Sequence, residues 1–172
     1  VPQGSGYVPI VGEGGHVTLA ATNDIEAAVI TRLRQRFGHA SAERALSGPG
    51  LVNLYVACCE LAGRTVTPLE AHQVSQRALS DEDPQCLQAV ELFFALLGTT
   101  AGNLALTLGA FGGVYIGGGV VPRLLALMEA SPFRARFEAK GRFATYLADI
   151  PTWVIDADFP PALLGAAQAL EA

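Results

Sequence analysis

A short apolar segment that ends in consecutive glycines constrains this chain more than any other feature. The β-forming residues 114–116 are followed by Gly117, Gly118 and Gly119, and Pro122 stands where the first turn of a helix commonly has proline. The pattern predicts a strand, a tight turn and a helix from about residue 122 to 130. Glycine lets a ligand approach the backbone closely. Neither the spaced glycine fingerprint of dinucleotide-binding folds nor a phosphate loop with its lysine is present, so a structural turn and a nucleotide site both stay open.

Composition and charge narrow the class of protein. Hydrophobic residues make up 51% of the 172 residues, which suffices for the core of one domain or of a large piece of a longer protein. A net charge of −5 offers no basic surface to a nucleic acid. The most apolar segment, residues 87–115, contains Glu91, threonines and glycines, so we interpret it as a buried core helix and expect no membrane span. Without a signal peptide or an initiator Met, the chain looks truncated or processed.

The three cysteines, Cys58, Cys59 and Cys86, are interpreted as small core residues. Two of them are adjacent, which suits an ordinary disulfide poorly, and none has the spacing of a metal ligand. Unpaired cysteines are typical of a reducing compartment, so we expect a cytoplasmic location.

Helix and strand patterns alternate along the second half of the chain, which favours a parallel α/β sheet. Asn23 is a suitable N-cap for a helix that Gly38 closes, and Asp83 and Pro84 begin a long helix that runs through residue 108. Small residues in the second half of that helix predict a close neighbour, which we expect to be a sheet. The other predicted elements are strands at 7–10, 16–19 and 152–155, helices at 51–61, 68–79 and 162–170, and an irregular or helical segment at 133–147.

A glycine-rich loop at residues 12–16 contains two candidate binding residues, Glu13 and His16. Their spacing of three lets both side chains face one cleft, where a carboxylate and an imidazole can bind the hydroxyls of a sugar. A polar turn with a capping histidine explains the same residues. Two ligands are too few for a metal site.

Other polar residues have ordinary structural interpretations. Glu43 stands next to Arg44, which by default is an exposed helical ion pair. His39 and His72 show no partner and are interpreted as surface or cap residues. Two acids after the last strand, at 156 and 158, are expected to have a loop role.

Taken together, six segments resemble the bacterial ATP-dependent glucokinase family. They are residues 12–17 (Gly-Glu-Gly-Gly-His-Val), 38–55 (with Gly-His-Ala-Ser-Ala-Glu-Arg and Ser-Gly-Pro-Gly), 102–106, 113–123, 133–143 and 163–165. Their order and spacing cover nearly the whole chain, so the resemblance is more specific than any single motif. It implies an α/β, ribonuclease H-like fold, as in actin-like ATPases and hexokinases, with a mixed sheet flanked by helices. Residues 1–172 would be the C-terminal, larger domain.

The resemblance also implies roles for particular residues. Glu13, His16 and Glu43 would bind glucose, and the glycines at 117–119 would flank the adenosine of ATP, which acts with Mg²⁺. The phosphate-binding loops and the catalytic aspartate of the family belong to segments before residue 1, so this chain would hold no catalytic residue and would be inactive alone. The Ser-Gly-Pro-Gly loop at 47–50 would lie near the interdomain cleft. A homodimer is expected from the family.

Two other functions stay open. A non-catalytic relative would use the same cleft for sugar or nucleotide binding, or for assembly, without turnover. A dinucleotide-dependent oxidoreductase would use the glycine turn, although the spaced fingerprint and a ribose-binding acid are missing.

Overall fold

The computed structural model describes residues 2–3, 6–8, 12–156 and 161–171. The helices in these ranges are α1 (Asp24–Phe37), α2 (Gly48–Leu61), α3 (Ala71–Leu79), α4 (Pro84–Leu108), α5 (Leu125–Met128), α6 (Phe133–Glu138), α7 (Ala144–Ala148) and α8 (Pro161–Glu171). The strands are β1 (Pro2–Gln3), β2 (Gly6–Tyr7), β3 (Val114–Ile116) and β4 (Thr152–Val154). Short 3₁₀ turns occur at Gly14–His16, Ala42–Arg44, Val121–Leu124 and Gly141–Phe143.

Helix α1 begins and ends where its sequence predicts. The Asn23 side chain accepts a hydrogen bond from the Glu26 amide at 2.9 Å, which satisfies one of the free N–H groups of the first turn. At the other end Gly38 has φ of 77° and its amide bonds to the Arg34 carbonyl, as a glycine that closes a helix does.

Helix α4 is the centre of the core and packs against α2, α3 and α6. Its buried side chains include Phe93, Phe94 and Leu96. A Cβ at Gly98 would lie 2.2 Å from the Phe133 carbonyl oxygen of α6, so no larger residue fits there. At Gly98 and Gly102 the close neighbour is therefore another helix, and the expected contact with a sheet stays a prediction. Small residues indicate that a backbone approaches closely, but they do not reveal its secondary structure.

The sheet structure is small within the described residues. Strands β3 and β4 are parallel, with Val114 opposite Thr152 and Ile116 opposite Val154, which confirms both predicted strands. Strands β1 and β2 form a separate antiparallel pair. Because the two pairs do not join there, the mixed sheet stays a prediction.

Near the N-terminus the predicted strands are replaced or lie partly outside the described residues. The strand expected at 7–10 appears only as Gly6–Tyr7, and positions 9 and 10 are outside. The strand expected at 16–19 is wrong, because a 3₁₀ turn occupies Gly14–His16 and only a single bridge joins Thr18 to Ser41.

Two helix starts differ from the predicted positions. Helix α2 begins at Gly48 rather than residue 51, because Ser47 caps it and Pro49 fits its first turn. Helix α3 begins at Ala71 rather than residue 68. Glu70, predicted as the third helical residue, is itself the N-cap and forms a reciprocal capping box with Gln73.

A buried ion pair connects α1 with α6. Glu26 has no exposed surface, and its carboxylate accepts hydrogen bonds from both terminal nitrogens of Arg136, at 2.5 and 3.1 Å. Arg136 also donates to the Thr99 hydroxyl of α4 at 2.8 Å. The neighbouring Arg134 donates to the carbonyls of Leu147, Ala148 and Ile150. These two arginines of α6 therefore stabilise the packing of helices.

The apolar helix and the cysteines belong to the core. In the described part of the chain, α4 alone is long and apolar enough to cross a membrane, but 67% of its most apolar window is buried inside the protein, as in a core helix. Cys58, Cys59 and Cys86 are buried and unbonded to each other, as predicted.

Candidate functional site

The structure brings Glu13, His16 and Glu43 together. The His16 Nε2 atom lies 4.0 Å from a Glu13 carboxylate oxygen and 3.8 Å from one of Glu43. These separations exceed a direct hydrogen bond, so each polar group keeps capacity for a ligand. All three side chains are more than half exposed, at 88%, 64% and 60% respectively. We call these three residues the acid–imidazole cluster.

Local geometry explains why Glu13 and His16 face the same side. The turn Gly14–His16 is 3₁₀, and a 3₁₀ helix has three residues per turn, so positions three apart align. The His16 amide donates to the Glu13 carbonyl at 2.9 Å and closes this turn. The sequence spacing was therefore a usable signal.

Two backbone hydrogen bonds bring Glu43 to the cluster. The Ala42 amide donates to the Val17 carbonyl and the Leu19 amide to the Ala40 carbonyl, both at 2.9 Å. These bonds place the turn Ala42–Arg44 against Gly14–His16, where a Cβ on Gly15 would lie 3.7 Å from that of Glu43. No local sequence pattern around Glu43 predicts its contact with the turn Gly14–His16.

The ordinary interpretation of Glu43 is wrong, because Glu43 faces His16 rather than Arg44, whose guanidinium lies 4.2 Å from the ring centre of Phe37. His39 and His72 are exposed, as interpreted, but each has a partner. His39 Nε2 is 2.9 Å from the Thr18 hydroxyl, and His72 Nδ1 is 3.3 Å from the Glu70 carboxylate.

The cluster suits a ligand rich in hydroxyls. Two carboxylates can only accept hydrogen bonds, whereas an imidazole can donate or accept according to its tautomer. Such a set can accept several sugar O–H groups and orient the ring. Among the described residues, no group of three or more His, Cys, Asp or Glu is arranged to hold a metal ion.

The glycine turn follows β3 as predicted, but the helix after it is shorter. Gly118 has φ of 111°, which only glycine adopts easily, and all three glycines are exposed. Instead of a helix at 122–130, a 3₁₀ turn leads into the four residues of α5. So short a helix provides no strong dipole for a phosphate, because the dipole sums aligned peptide units over the helix.

A groove between α3 and the segment after the glycine turn was not predicted. It has a volume of about 450 Å³, and residues from α3 and its end line it together with Arg123; they are His72, Ser75, Gln76, Leu79 and Ser80. The volume is within the range of small-molecule sites. The residues that line it are individually unremarkable in sequence, so only the packing of α3 reveals it.

Aspartate 156 follows β4 in an exposed loop position, and position 158 lies outside the described residues. The structure therefore supplies one compact polar cluster and, on different elements, a glycine turn and a groove lined by Arg123, four residues after the turn.

Solved structures define the class of protein. The crystal structure of a glucokinase from an Antarctic psychrotroph matches with a TM-score of 0.85 and 39% identity, over 93% of this chain and 49% of that chain. Glucokinase from Balamuthia mandrillaris, solved in complex with glucose, matches with a TM-score of 0.78 and 22% identity, over 89% of this chain and 45% of that chain. At this lower identity the second match speaks for the fold alone. The chain has the α/β fold of the hexokinase-like class.

Sequence comparison then gives the family. A family model described as Glucokinase matches residues 1–172. The glucokinase of Aromatoleum aromaticum is 58% identical over 168 residues, which cover 98% of this chain and 50% of that protein. The chain belongs to the glucokinase family, and it spans about half the length of the curated relatives it matches.

Proposed function

We propose that this chain is the C-terminal, larger domain of an ATP-dependent glucokinase and provides its contacts to glucose and adenosine. The complete enzyme transfers the γ-phosphoryl group of ATP to the 6-hydroxyl of glucose, with Mg²⁺ as cofactor. The observation that carries the proposal is the acid–imidazole cluster, in a chain of the glucokinase family.

In this proposal the cluster holds the sugar in position. Glu13 and Glu43 accept hydrogen bonds from sugar hydroxyls, and His16 donates or accepts between them. Phosphoryl transfer depends mainly on positioning and on charge stabilisation at the phosphates, so fixing the ring contributes directly to rate.

The nucleotide is assigned to the glycine turn and to the groove lined by Arg123, which follows the turn in the chain. Gly117, Gly118 and Gly119 carry no side chain, which lets a nucleoside approach the backbone, and a volume of about 450 Å³ suits a base and ribose. From the family resemblance we assign the phosphate contacts and the catalytic aspartate to the N-terminal domain, where Mg²⁺ would act with the phosphates. A homodimer and a cytoplasmic location belong to the same proposal and rest on the family resemblance.

The test is Glu13→Gln in the full-length enzyme. The KM for glucose should rise by about tenfold or more while the KM for ATP changes little, because the lost interaction binds only the sugar. Glu82→Gln, the same change at an exposed residue before α4, is the matched control and should leave both constants unchanged. An unchanged KM for glucose in the Glu13 variant contradicts the assignment of the cluster. Glucose binding without turnover in the parent enzyme supports the non-catalytic alternative instead.

A further inference from the structure

The turn that carries Glu43 is hydrogen-bonded to the N-terminal end of α2 and its N-cap. The Ser47 hydroxyl donates to the Glu43 carbonyl at 2.8 Å and accepts the Gly50 amide at 2.9 Å. One side chain therefore caps α2 and fixes the backbone of Glu43 at the same time.

Asn53 holds the next peptide group. Its side-chain amide donates to the Arg44 carbonyl at 3.0 Å, and the residue is only 9% exposed. Because Asn53 is nearly buried, leaving its amide without this partner would cost free energy.

Gly50 brings the two segments into direct contact. A Cβ at this position would lie 2.5 Å from the Ala45 carbonyl carbon and 2.6 Å from its oxygen, so any side chain would push the turn away. Gly50 and Asn53 are three residues apart and lie on neighbouring turns of one side of α2, and Ser47 is its N-cap. We call Ser47, Gly50 and Asn53 the anchoring stripe.

The opposite side of the turn Ala42–Arg44 faces the glycine-rich loop at residues 12–16, which carries Glu13 and His16. Ala42 donates to the Val17 carbonyl, next to His16, so the segment that carries Glu43 lies between that loop and the stripe. The Glu43 side chain is 60% exposed. Its carboxylate is therefore placed mainly by its backbone, and the backbone is placed by the stripe.

We propose that the anchoring stripe positions Glu43 for sugar binding, with Asn53 as its principal polar member. The inference rests on the proposed function, since it assigns the residues that make one sugar ligand effective. Asn53 touches no substrate and acts through Glu43. It thus determines how tightly glucose binds, and has no part in binding ATP.

Asn53→Asp in the full-length enzyme tests this inference, because aspartate has nearly the same size but cannot donate to the Arg44 carbonyl when ionised. The KM for glucose should rise at least about fivefold, with the KM for ATP unchanged. Val29→Ala, which removes buried volume from α1, serves as a control that lowers stability without touching the stripe. An unchanged KM for glucose, or an equal rise in the Val29 variant, overturns the inference.

A double-mutant cycle separates positioning from general damage. If Asn53 acts through Glu43, the Asn53→Asp change should have little further effect on the KM for glucose once Glu43→Gln is present. Fully additive effects overturn the inference.

Hydrogen exchange provides a readout that needs no substrate. In Asn53→Asp the amides of residues 42–46 should exchange faster than in the parent and in Val29→Ala, because their turn has lost its anchor. Unchanged exchange overturns the inference even if the protein phosphorylates glucose. Faster exchange in the variant, when the parent enzyme itself binds no glucose, confirms the anchor while it refutes the proposed function.

Discussion

Replacement of Arg136 by methionine should reveal how much the buried ion pair contributes. The change leaves the Glu26 carboxylate, which has no exposed surface, without its counter-ion, although Thr22 and Asn23 still donate to it. Breaking one side of a buried pair typically costs about 3–5 kcal/mol. If the free energy of unfolding falls by about 2 kcal/mol for each molar of urea, the urea concentration at the unfolding midpoint should fall by about 1.5 M or more.

The loss of stability in Arg136→Met should also depend on pH. Burial alone raises the pKa of Glu26, but the hydrogen bonds and charge of Arg136, with the Thr22 donors, hold it below its ordinary value of 4.5. A depressed pKa adds stability that is present above 4.5 and is lost as the pH falls through the folded-state pKa. Without Arg136 the pKa of Glu26 rises, so the stability difference between parent and variant should be largest near neutral pH and shrink on acidification.

Urea denaturation followed by circular dichroism at several pH values measures both effects. Glu60→Gln is the matched control, because it breaks the Arg32–Glu60 pair, whose side chains are nearly half exposed and 3.8 Å apart. It should cost less than about 1 kcal/mol at any of these pH values. An Arg136→Met cost as small as that of the control, or one that stays constant with pH, would refute the reasoning.

Two further predictions concern packing and thiol chemistry. Gly98→Ala should destabilise the protein by about 1–3 kcal/mol, because its Cβ would meet the Phe133 carbonyl, whereas Gly165→Ala, with nothing within 4 Å, should stabilise it slightly in the same denaturation assay. Equal effects of the two changes would contradict the close contact between α4 and α6. Burial raises the pKa of the Cys58 and Cys86 thiols from 9.0 to about 12, so a chromogenic thiol reagent should label them quickly only after unfolding. Rapid labelling of the folded protein would contradict their burial.

Those parts of the fold that depend on neighbouring residues could be predicted from the sequence. Asn23 and Gly38 bound α1 because capping requires only a side-chain oxygen or a positive φ within the same few residues. Asp83 and Pro84 begin α4 for the same reason. The strand before the glycines was equally readable, because its β-forming residues are contiguous.

Contacts between distant residues could not be read in this way. Glu26 and Arg136 are 110 positions apart, and each one looks like an ordinary surface residue of an amphipathic helix. Their pairing depends on how the fold places α1 beside α6, and the glycines of α4 indicate only that some backbone packs closely against that helix. The groove beside Arg123 depends on packing in the same way.

The candidate site likewise has a part that local sequence predicts and a part that depends on contacts between distant residues. Glu13 and His16 are joined by a local spacing, so the sequence alone suggested that they share a cleft, whereas Glu43 joined them only through the family resemblance. The structure supplies the missing physical link in the Ser-Gly-Pro-Gly segment, which the sequence predicts only as a loop ahead of the helix at 51–61. Ser47 caps that helix and holds Glu43 with the same oxygen, and the glycine at position 50 is the space into which the turn fits. A capping motif and a binding motif thus occupy the same residues, and a local interpretation finds only the first of them.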